Sequence, residues 1–566
     1  MIMLKISEAY KNSYEQFKEL LSPEKTFVKI IMINSIVISF LALVIPIAVQ
    51  TIISKIVILK VVQPLIILSF IVLLVLAFSG VIQAIQIHII EILRRRIFIR
   101  LMHVALKKFI HFEDEKFQEV DSQALTNRLI DILFMQTSMI SFFGEGMAFC
   151  IQYIFAILFL MFYHPYLFVL ALFMTFFFIL SWKLFGSKGV QAGSPEADSR
   201  YEVFELLQEV SQSRHQFMSD KKETFLEHRL HEKCLKWIDK REVLFHQQFS
   251  QSVSLQIIQS LTYTLLLGVG GGLVLAQELS LGQLVAATLM ITIILTSLSR
   301  LQTFYTSIYD FTTNLAKFAE FFKHPEEKFP IQVYEPGDAT IEFKEVFQKP
   351  NVKLNFSLKA NHHHYIYIKS FFSSEQVINL ILGFKKAEQG RVFIGSYDIS
   401  EINLRKWRDD VILISKCNHF RGTIRENIWP YNETISETSI KNALESLGML
   451  ERIEKLPLNI DTPLLPNGFP LSTSQLITLQ FVTALLRKPK LIIISHDFEI
   501  MSAHKRQKAF DLIKNNKFES TVLFFSQNLY PNVFSDFHML GRDGVKTLSD
   551  FDELKKVVQS AYGVSA

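Results

Sequence analysis

A chain of 566 residues is too long for a single core, and 49% hydrophobic residues with a mean hydropathy of +0.26 place it among membrane proteins. A net charge of +5 is small for that length, and no basic cluster is interleaved with aromatic rings, which excludes a nucleic-acid binder. Cys150, Cys234 and Cys417 follow neither a metal-ligand nor a disulfide spacing and read as ordinary thiols.

Residues 1–23 carry Glu8, Glu15 and Glu19 among their lysines and have no apolar core. They read as an amphipathic helix on the cytoplasmic side, not as a cleaved signal peptide. Six apolar spans follow, at about 27–53, 64–90, 139–163, 165–185, 252–276 and 284–308, each long enough to cross a ~30 Å hydrocarbon core. The connections at Tyr163-His164-Pro165 and Glu278-Leu279-Ser280 are short and lack Lys and Arg. Those after the second and fourth spans are long and basic, the first holding Arg94, Arg95, Arg96, Arg100, Lys107 and Lys108. The bias toward Lys and Arg puts both long connections and both chain ends in the cytoplasm. Each long connection is helical in pattern, as though paired membrane helices continued past the bilayer; ~25 further residues at 1.5 Å each would project nearly 40 Å.

Composition breaks between His324-Pro325-Glu326 and Pro336-Gly337-Asp338, which marks a linker at 321–338 between a membrane domain, 1–320, and a soluble domain, 339–566. In the latter, 339–343 and 365–368 read as strands and Gln376 opens a helix. The runs 491–494 and 521–525 are apolar throughout, as buried parallel strands are. Alternating strands and helices indicate an α/β fold.

Several strings are specific. Leu281-Gly282-Gln283-Leu284-Val285-Ala286 precedes the sixth span and Ser299-Arg300-Leu301 lies within it. Further on stand Gly390, Asp398-Ile399, Leu404, Arg408 and Gly422-Thr423-Ile424-Arg425-Glu426-Asn427-Ile428. Leu456-Pro457, Ile460-Asp461-Thr462-Pro463 and Ala484 to Lys490 complete the series. With these strings the chain resembles a half-transporter of the ATP-binding cassette (ABC) exporter family over nearly its whole length. The resemblance implies an α-helical six-span transmembrane domain followed by an α/β domain similar to a P-loop nucleotide-binding domain. It also implies an integral protein of the bacterial inner membrane.

Against that family the nucleotide chemistry is missing. A phosphate loop, G-x-x-x-x-G-K-[ST], uses glycines to turn successive amides toward the phosphates, a lysine to neutralise them and a hydroxyl to bind magnesium. Alignment on Leu380-Ile381-Leu382-Gly383 puts Ile368 and Ser373 at the glycines, Ser374 at the lysine and Glu375 at the hydroxyl residue, with Phe371 and Phe372 adding bulk. An ionised Glu375 would face the phosphates. A like-charge contact at 4 Å costs roughly 4 kcal/mol at an effective dielectric near 20, as much as a millimolar ligand gains. Magnesium held by Glu375 would not replace the lysine or the glycines.

The resemblance further places Ser495 and His496 where the magnesium-binding aspartate and catalytic glutamate stand, Ser415 at the metal-sensing glutamine, Gln527 at the switch histidine and Ser502 at the aspartate after the catalytic strand. No aromatic residue matches the adenine-stacking position near Lys349. The signature Leu-Ser-Gly-Gly-Gln becomes Leu471-Ser472-Thr473-Ser474-Gln475, which keeps the serine and glutamine and loses both glycines.

The expected function is therefore the non-catalytic half of an exporter, without cofactor of its own. It would pair with an ATPase-competent half-transporter whose ATP and Mg are held by that partner's phosphate loop and covered by Ser472 and Gln475. Self-pairing would give two dead sites. The alternative is a membrane scaffold or regulator that docks proteins and moves no substrate; a polar cavity lined by Gln50, Gln83, Glu145, Gln256, Gln259 and Thr262 would distinguish the two. The same glutamines also serve as interhelical hydrogen-bonding groups. A third reading, an ATPase by a rearranged mechanism, rests on His496 and Asp497. His362-His363-His364 reads as a turn entering a strand in preference to a metal site, since strand neighbours point to opposite faces. The Phe-rich run at 168–178 reads as lipid-facing or packed surface. Arg94 to Arg96 read as an interfacial anchor that also suits anionic lipid.

Overall fold

A computed structural model describes residues 22–56, 62–112, 146–297, 326–327, 339–348, 352–369, 371–416, 419–430, 435–530, 533–541 and 544–562. Glu145, Cys417, Lys349, Ser299-Arg300-Leu301 and most of the proposed linker lie outside them. The chain divides into two units, Met1–Glu326 and Glu327–Ala566.

In the first unit, α1 (Lys25–Leu41) and α2 (Val44–Thr51) run on into a π turn at Ile52–Ile56. They are followed by α3 (Gln63–Ile110), α4 (Met147–Tyr163) and α5 (Pro165–Ser181). A π turn, Trp182–Gly186, carries α5 into α6 (Ser187–Gln212). The unit continues with α7 (Arg214–Phe217), α8 (Asp220–Leu275) and α9 (Leu281–Ser297). Four of these stretches, Ser22–Ile56, Gln63–Ile110, Pro165–Gln212 and Asp220–Leu275, are long and apolar enough to cross a membrane, and α4 and α9 are shorter apolar helices. With 48 residues, α3 is about 70 Å long, more than twice the hydrocarbon core, so the continuation of the helices past the bilayer is built into single rods. Leu160, Leu167, Met174, Leu266, Met290 and Ile294 pack between α4, α5, α8 and α9.

The second unit has two sheets. An antiparallel one orders β1 (Ile341–Gln348), β2 (Val352–Leu358), β4 (Gln389–Ile394) and β5 (Tyr397–Asp398) as β2-β1-β4-β5. The other contains β3 (His363–Ile368), β6 (Val411–Ile414), β9 (Leu491–Ile494), β10 (Thr521–Ser526), β11 (Asp536–Gly541) and β12 (Gly544–Leu548), in the order β12-β11-β3-β10-β9-β6. All its pairings are parallel except β11 with β12. A short pair, β7 (Gly422–Thr423) with β8 (Pro463–Leu464), stands apart.

The strand period explains why the central runs are continuously apolar. On β3, Tyr365 and Tyr367 enter one core, with Leu476, Phe481, Phe498, Phe510 and Phe524, while Ile366 and Ile368 enter the other, with Val377, Leu380, Ile381 and Trp407. The helices on these faces include α10 (Phe371–Ile381), α11 (Leu404–Asp409), α12 (Ile424–Ile428), α13 (Glu437–Ser446), α14 (Leu450–Glu454), α15 (Thr473–Arg487) and α16 (Ala503–Lys514); α17 (Phe551–Tyr562) closes the chain.

Two expectations need correction. The helix after β3 begins at Phe371, not at Gln376, and β3 begins at His363, not at Tyr365.

Candidate functional site

The described phosphate-loop positions lie in a strand and a helix. Ile368 is the last residue of β3 and fully buried, paired with Leu540 of β11, and the Lys369 amide extends that ladder by donating to the Leu540 carbonyl at 3.0 Å. With α10 starting at Phe371, positions 369 and 370 are all that separates strand from helix. A cradle requires a run of residues that bows outward so that consecutive amides converge on one anion; two residues cannot wrap a triphosphate. Ser373 lies within the first turn of α10. Ser374, at the lysine position, is only 2% exposed, on the face that also carries Val377, Ile378 and Ile381, whereas Glu375 is exposed.

The strand that would carry the catalytic carboxylates is intact as a strand. Leu491 to Ile494 are all buried, and the Ser495 amide continues the pairing by donating to the Ile414 carbonyl at 3.0 Å. Ser495 then caps a 3-10 turn, His496–Ile500, its hydroxyl accepting from the Asp497 amide at 3.3 Å and donating to Asp497 Oδ2 at 3.0 Å. The same Oδ2 accepts the Lys416 amide at 2.9 Å. Asp497 thus ties the end of β9 to the end of β6, and the carboxylate that the sequence offers one residue late has a structural job. The His496 ring sits at the surface, its Nε2 3.8 Å from Asp497 Oδ1. Ser415 is held by Gln480 of α15, which accepts from its amide at 2.8 Å and donates to its carbonyl at 2.7 Å. Gln527 follows Ser526, the buried end of β10, whose hydroxyl donates to Glu499 Oε1 at 2.6 Å.

The signature segment is the start of a helix. Ser472 caps α15 in a reciprocal box with Gln475: the hydroxyl accepts the Gln475 amide at 3.3 Å and Gln475 Oε1 accepts the Ser472 amide at 2.9 Å. Both bonds use acceptors, so the Ser472 O–H and the Gln475 NH2 keep their donors, held at the helix start. Leu471 is buried in the core, Thr473 opens the helix, and Ser474 Oγ accepts the Ser502 amide at 3.2 Å. Thr423 and Glu426 form a second box on α12, and Asn427 clips the preceding turn by bonding Phe420 in both directions. Arg425 bridges Asp461 and Glu437. The Ser/Thr-x-x-Glu/Gln spacing of these boxes was available in the sequence; Gln480 and Glu499 carried no such signal.

In the membrane unit the described cavity candidates make local or interhelical contacts, and Glu145 lies outside the described residues. Gln50 accepts the Tyr163 hydroxyl at 2.5 Å, an interhelical bond. Gln83 donates to Ser79 on its own helix at 3.3 Å. Gln256 lies on an open face of α8 with Phe249, Val253, Ile257 and Leu261, Gln259 is half-buried on the same helix, and Thr262 is buried with its hydroxyl on the Ile258 carbonyl. Polar pairs such as Gln86 with Ser35 and Tyr263 with Thr292 join neighbouring helices in the same way.

A family model described as the ABC transporter transmembrane region matches residues 28–298. Those residues belong to that family. The match covers the long rods α3, α5–α6 and α8, the part of the chain where apolar spans run on as polar helix. The chain is similar to an export ATP-binding/permease protein of Rickettsia typhi, 30% identical over 188 residues, 32% of this chain and 33% of the relative. It is 28% identical over 214 residues to the ATP-dependent lipid A-core flippase of Haemophilus influenzae, 36% of each. It is also 28% identical over 237 residues to ABC transporter C family member 7 of Dictyostelium discoideum, 40% of this chain and 17% of the relative. The chain spans about a third or less of the length of these curated relatives.

Proposed function

We propose that this chain is the non-catalytic half of an ABC-type exporter, with six spans and both termini cytoplasmic in a bacterial inner membrane, and that an ATPase-competent half-transporter drives it. The observation that carries this reading is the two-residue passage from Ile368 to Phe371, which leaves a triphosphate no cradle, together with the buried serine where the countercharge would be. Ser495, His496, Ser415 and Gln527 add no free carboxylate at the metal and water positions, and Asp497 is engaged by Ser495 and Lys416. This chain then holds neither ATP nor Mg by itself. The signature-like segment fits the complementary role, because Ser472 and Gln475 present donors at a capped helix start, suited to closing over ATP held by the partner. The membrane helices would supply half of a substrate path, and the long rods the lever.

The test is reconstitution with an intact ABC half-transporter. ATP hydrolysis by the complex is expected to vanish when the partner's phosphate lysine is removed and to fall when Ser472 is replaced by Ala. Hydrolysis that survives loss of that lysine would refute the proposal. The scaffold reading is favoured by the contacts of Gln50 and Gln83, which are helix–helix or same-helix bonds, and it predicts a complex that forms yet exports nothing.

A further inference from the structure

Three histidines and a carboxylate meet where β3, β11 and β12 join, in a place that nucleotide binding or transport does not explain. His362, just before β3, and His364 on β3 lie with their ring centres 6.1 Å apart. His362 Nδ1 lies 2.7 Å from Asp536 Oδ2, and His364 Nδ1 lies 3.8 Å from the same oxygen. On its other flank His364 Nδ1 is 3.3 Å from His538 Nε2, and His538 Nδ1 is 3.3 Å from the Thr547 hydroxyl. The four groups form a chain, and among the described residues no three of them are arranged to hold a metal ion.

The proton positions follow from one contact. His364 Nε2 is 2.9 Å from the Lys359 carbonyl, which only accepts, so the His364 proton is on Nε2 and its Nδ1 is a lone pair. That lone pair takes the hydrogen on His538 Nε2, and His538 Nδ1 accepts from Thr547. Each imidazole is thereby satisfied with a single proton. A second proton on either ring breaks the His364–His538 bond or turns the Thr547 hydroxyl away, and it places charge in a site where His364 is 1% and His538 3% exposed. The titratable groups acting on the pair are His362 and His363, Asp536 and each other. Among the described residues Asp536 is the counterion acting on the pair, and it already receives His362 at 2.7 Å and the Ser535 hydroxyl at 3.1 Å. From β2 the neighbour is the ring of Phe356, which offers no charge.

We propose that the His364–His538 pair is an acid-sensitive fastener: uptake of a further proton by the pair loosens β11, β12 and α17 from β3. Burial holds both imidazoles below their ordinary range, and the neighbouring His364 adds to the effect on His538, which is lowered to about 4. The segment that would loosen is the last of the fold, with β12 at the edge of the sheet and α17 packed on β11 and β12.

The experiment is hydrogen–deuterium exchange by mass spectrometry on the full chain in lipid nanodiscs, at pH 7.5 and pH 5.0, with rates corrected for intrinsic exchange. A group at about 4 when closed and 6.5 when open raises the open population roughly thirty-fold at pH 5. Amides of β11, β12 and α17 are therefore expected to gain tenfold or more in corrected rate, with β9 gaining less. In H538F, which keeps an aromatic ring beside Phe356 and takes no proton, the gain is expected to fall below threefold; in H362Q it persists. An undiminished gain in H538F overturns the proposal. Exchange of the histidine C2 hydrogens in the unmodified chain gives a reading independent of any variant: midpoints for His364 and His538 well below 6.5 support the fastener, and midpoints at or above 6.5 overturn it.

Discussion

Restoring the phosphate lysine by Ser374→Lys separates an argument from alignment from an argument from geometry. Alignment alone expects a partial return of ATP binding. The structure puts Ser374 at 2% exposure on the core face of α10, in line with Val377, Ile378 and Ile381. Three added carbons overpack that face at ~1–3 kcal/mol. An ammonium buried among those side chains adds to this, and ~3–5 kcal/mol is the scale for an uncompensated buried charge. At ~2–4 °C per kcal/mol for a domain of this size, the melting temperature of the second unit should drop by on the order of 10 °C. The assay is thermal unfolding of the full chain in detergent, run beside equilibrium binding of labelled ATP with and without Mg. Glu375→Lys is the control, because it makes the larger charge change at an exposed position and should alter stability by no more than ~0.5 kcal/mol. A Ser374→Lys protein that melts like the parent and binds ATP with millimolar or better affinity would refute the reasoning, since position 374 would then face a usable loop.

Ser472→Ala should cost ~1 kcal/mol through loss of the α15 cap, with Ser472→Thr close to neutral by chemical denaturation. Asp497→Asn should cost ~1 kcal/mol, because an amide oxygen in place of Oδ2 still accepts from Lys416 and Ser495 but without the charge that strengthens both bonds, and adding Mg should leave the parent's melting temperature unchanged. Gly390→Ala should cost more than ~3 kcal/mol and reduce the yield of folded protein: φ is +77° there, and a Cβ would collide with the Glu345 carbonyl oxygen. Stability should fall with acid. Since the folded pKa of His538 is lowered, the unfolded chain binds more protons, so the loss begins near pH 6.5 and is complete near 4, amounting to ~3 kcal/mol by titration calorimetry or pH-dependent denaturation.

Hydropathy made the apolar helices legible, because a membrane span is written as composition and needs no knowledge of its neighbours. The same holds for Leu491 to Ile494, whose burial on both faces leaves an unbroken apolar run. The start of α10 was hidden for the opposite reason. Phe371-Phe372-Ser373-Ser374 has little helical signature of its own, and alignment to a phosphate loop imposes a loop on it; the decision rests on Val377, Leu380 and Ile381 docking under β3. The early start of β3 was equally out of reach, since His363 and His364 are strand residues only because β10 and β11 pair with them and His538 lies across the sheet. Asp497 was visible as a displaced carboxylate, but its partners come from residues 416 and 495, and only the fold brings the former near.

The strings that tie this chain to ABC exporters turn out to be what folding needs. Ser280 and Gln283 bond each other's amides at the start of α9, as Thr423 with Glu426 and Ser472 with Gln475 do on α12 and α15. Gly282 lets α9 approach α2 and the π turn after it, where a Cβ would collide with Ser54 Oγ and crowd the Gln50 carbonyl. Gly390 admits the bulge of β1 at Lys344 to Phe347, and Arg408 grips both oxygens of Glu327 and the Leu382 carbonyl. The positions that the resemblance sets against nucleotide-contacting residues have other surroundings: Ile368 ends β3, Ser373, Ser374 and Glu375 lie in α10, Ser495 caps the turn that His496 opens, Gln480 holds Ser415, and Gln527 follows the end of β10. Unselective decay would strike a capping glutamine as readily as a phosphate lysine, at ~1 kcal/mol per cap in a structure only ~5–15 kcal/mol from unfolding. Caps, tight glycines and a bidentate arginine kept beside a strand and helix that leave no phosphate cradle support the proposed role, because shape is what a driven partner subunit has to supply.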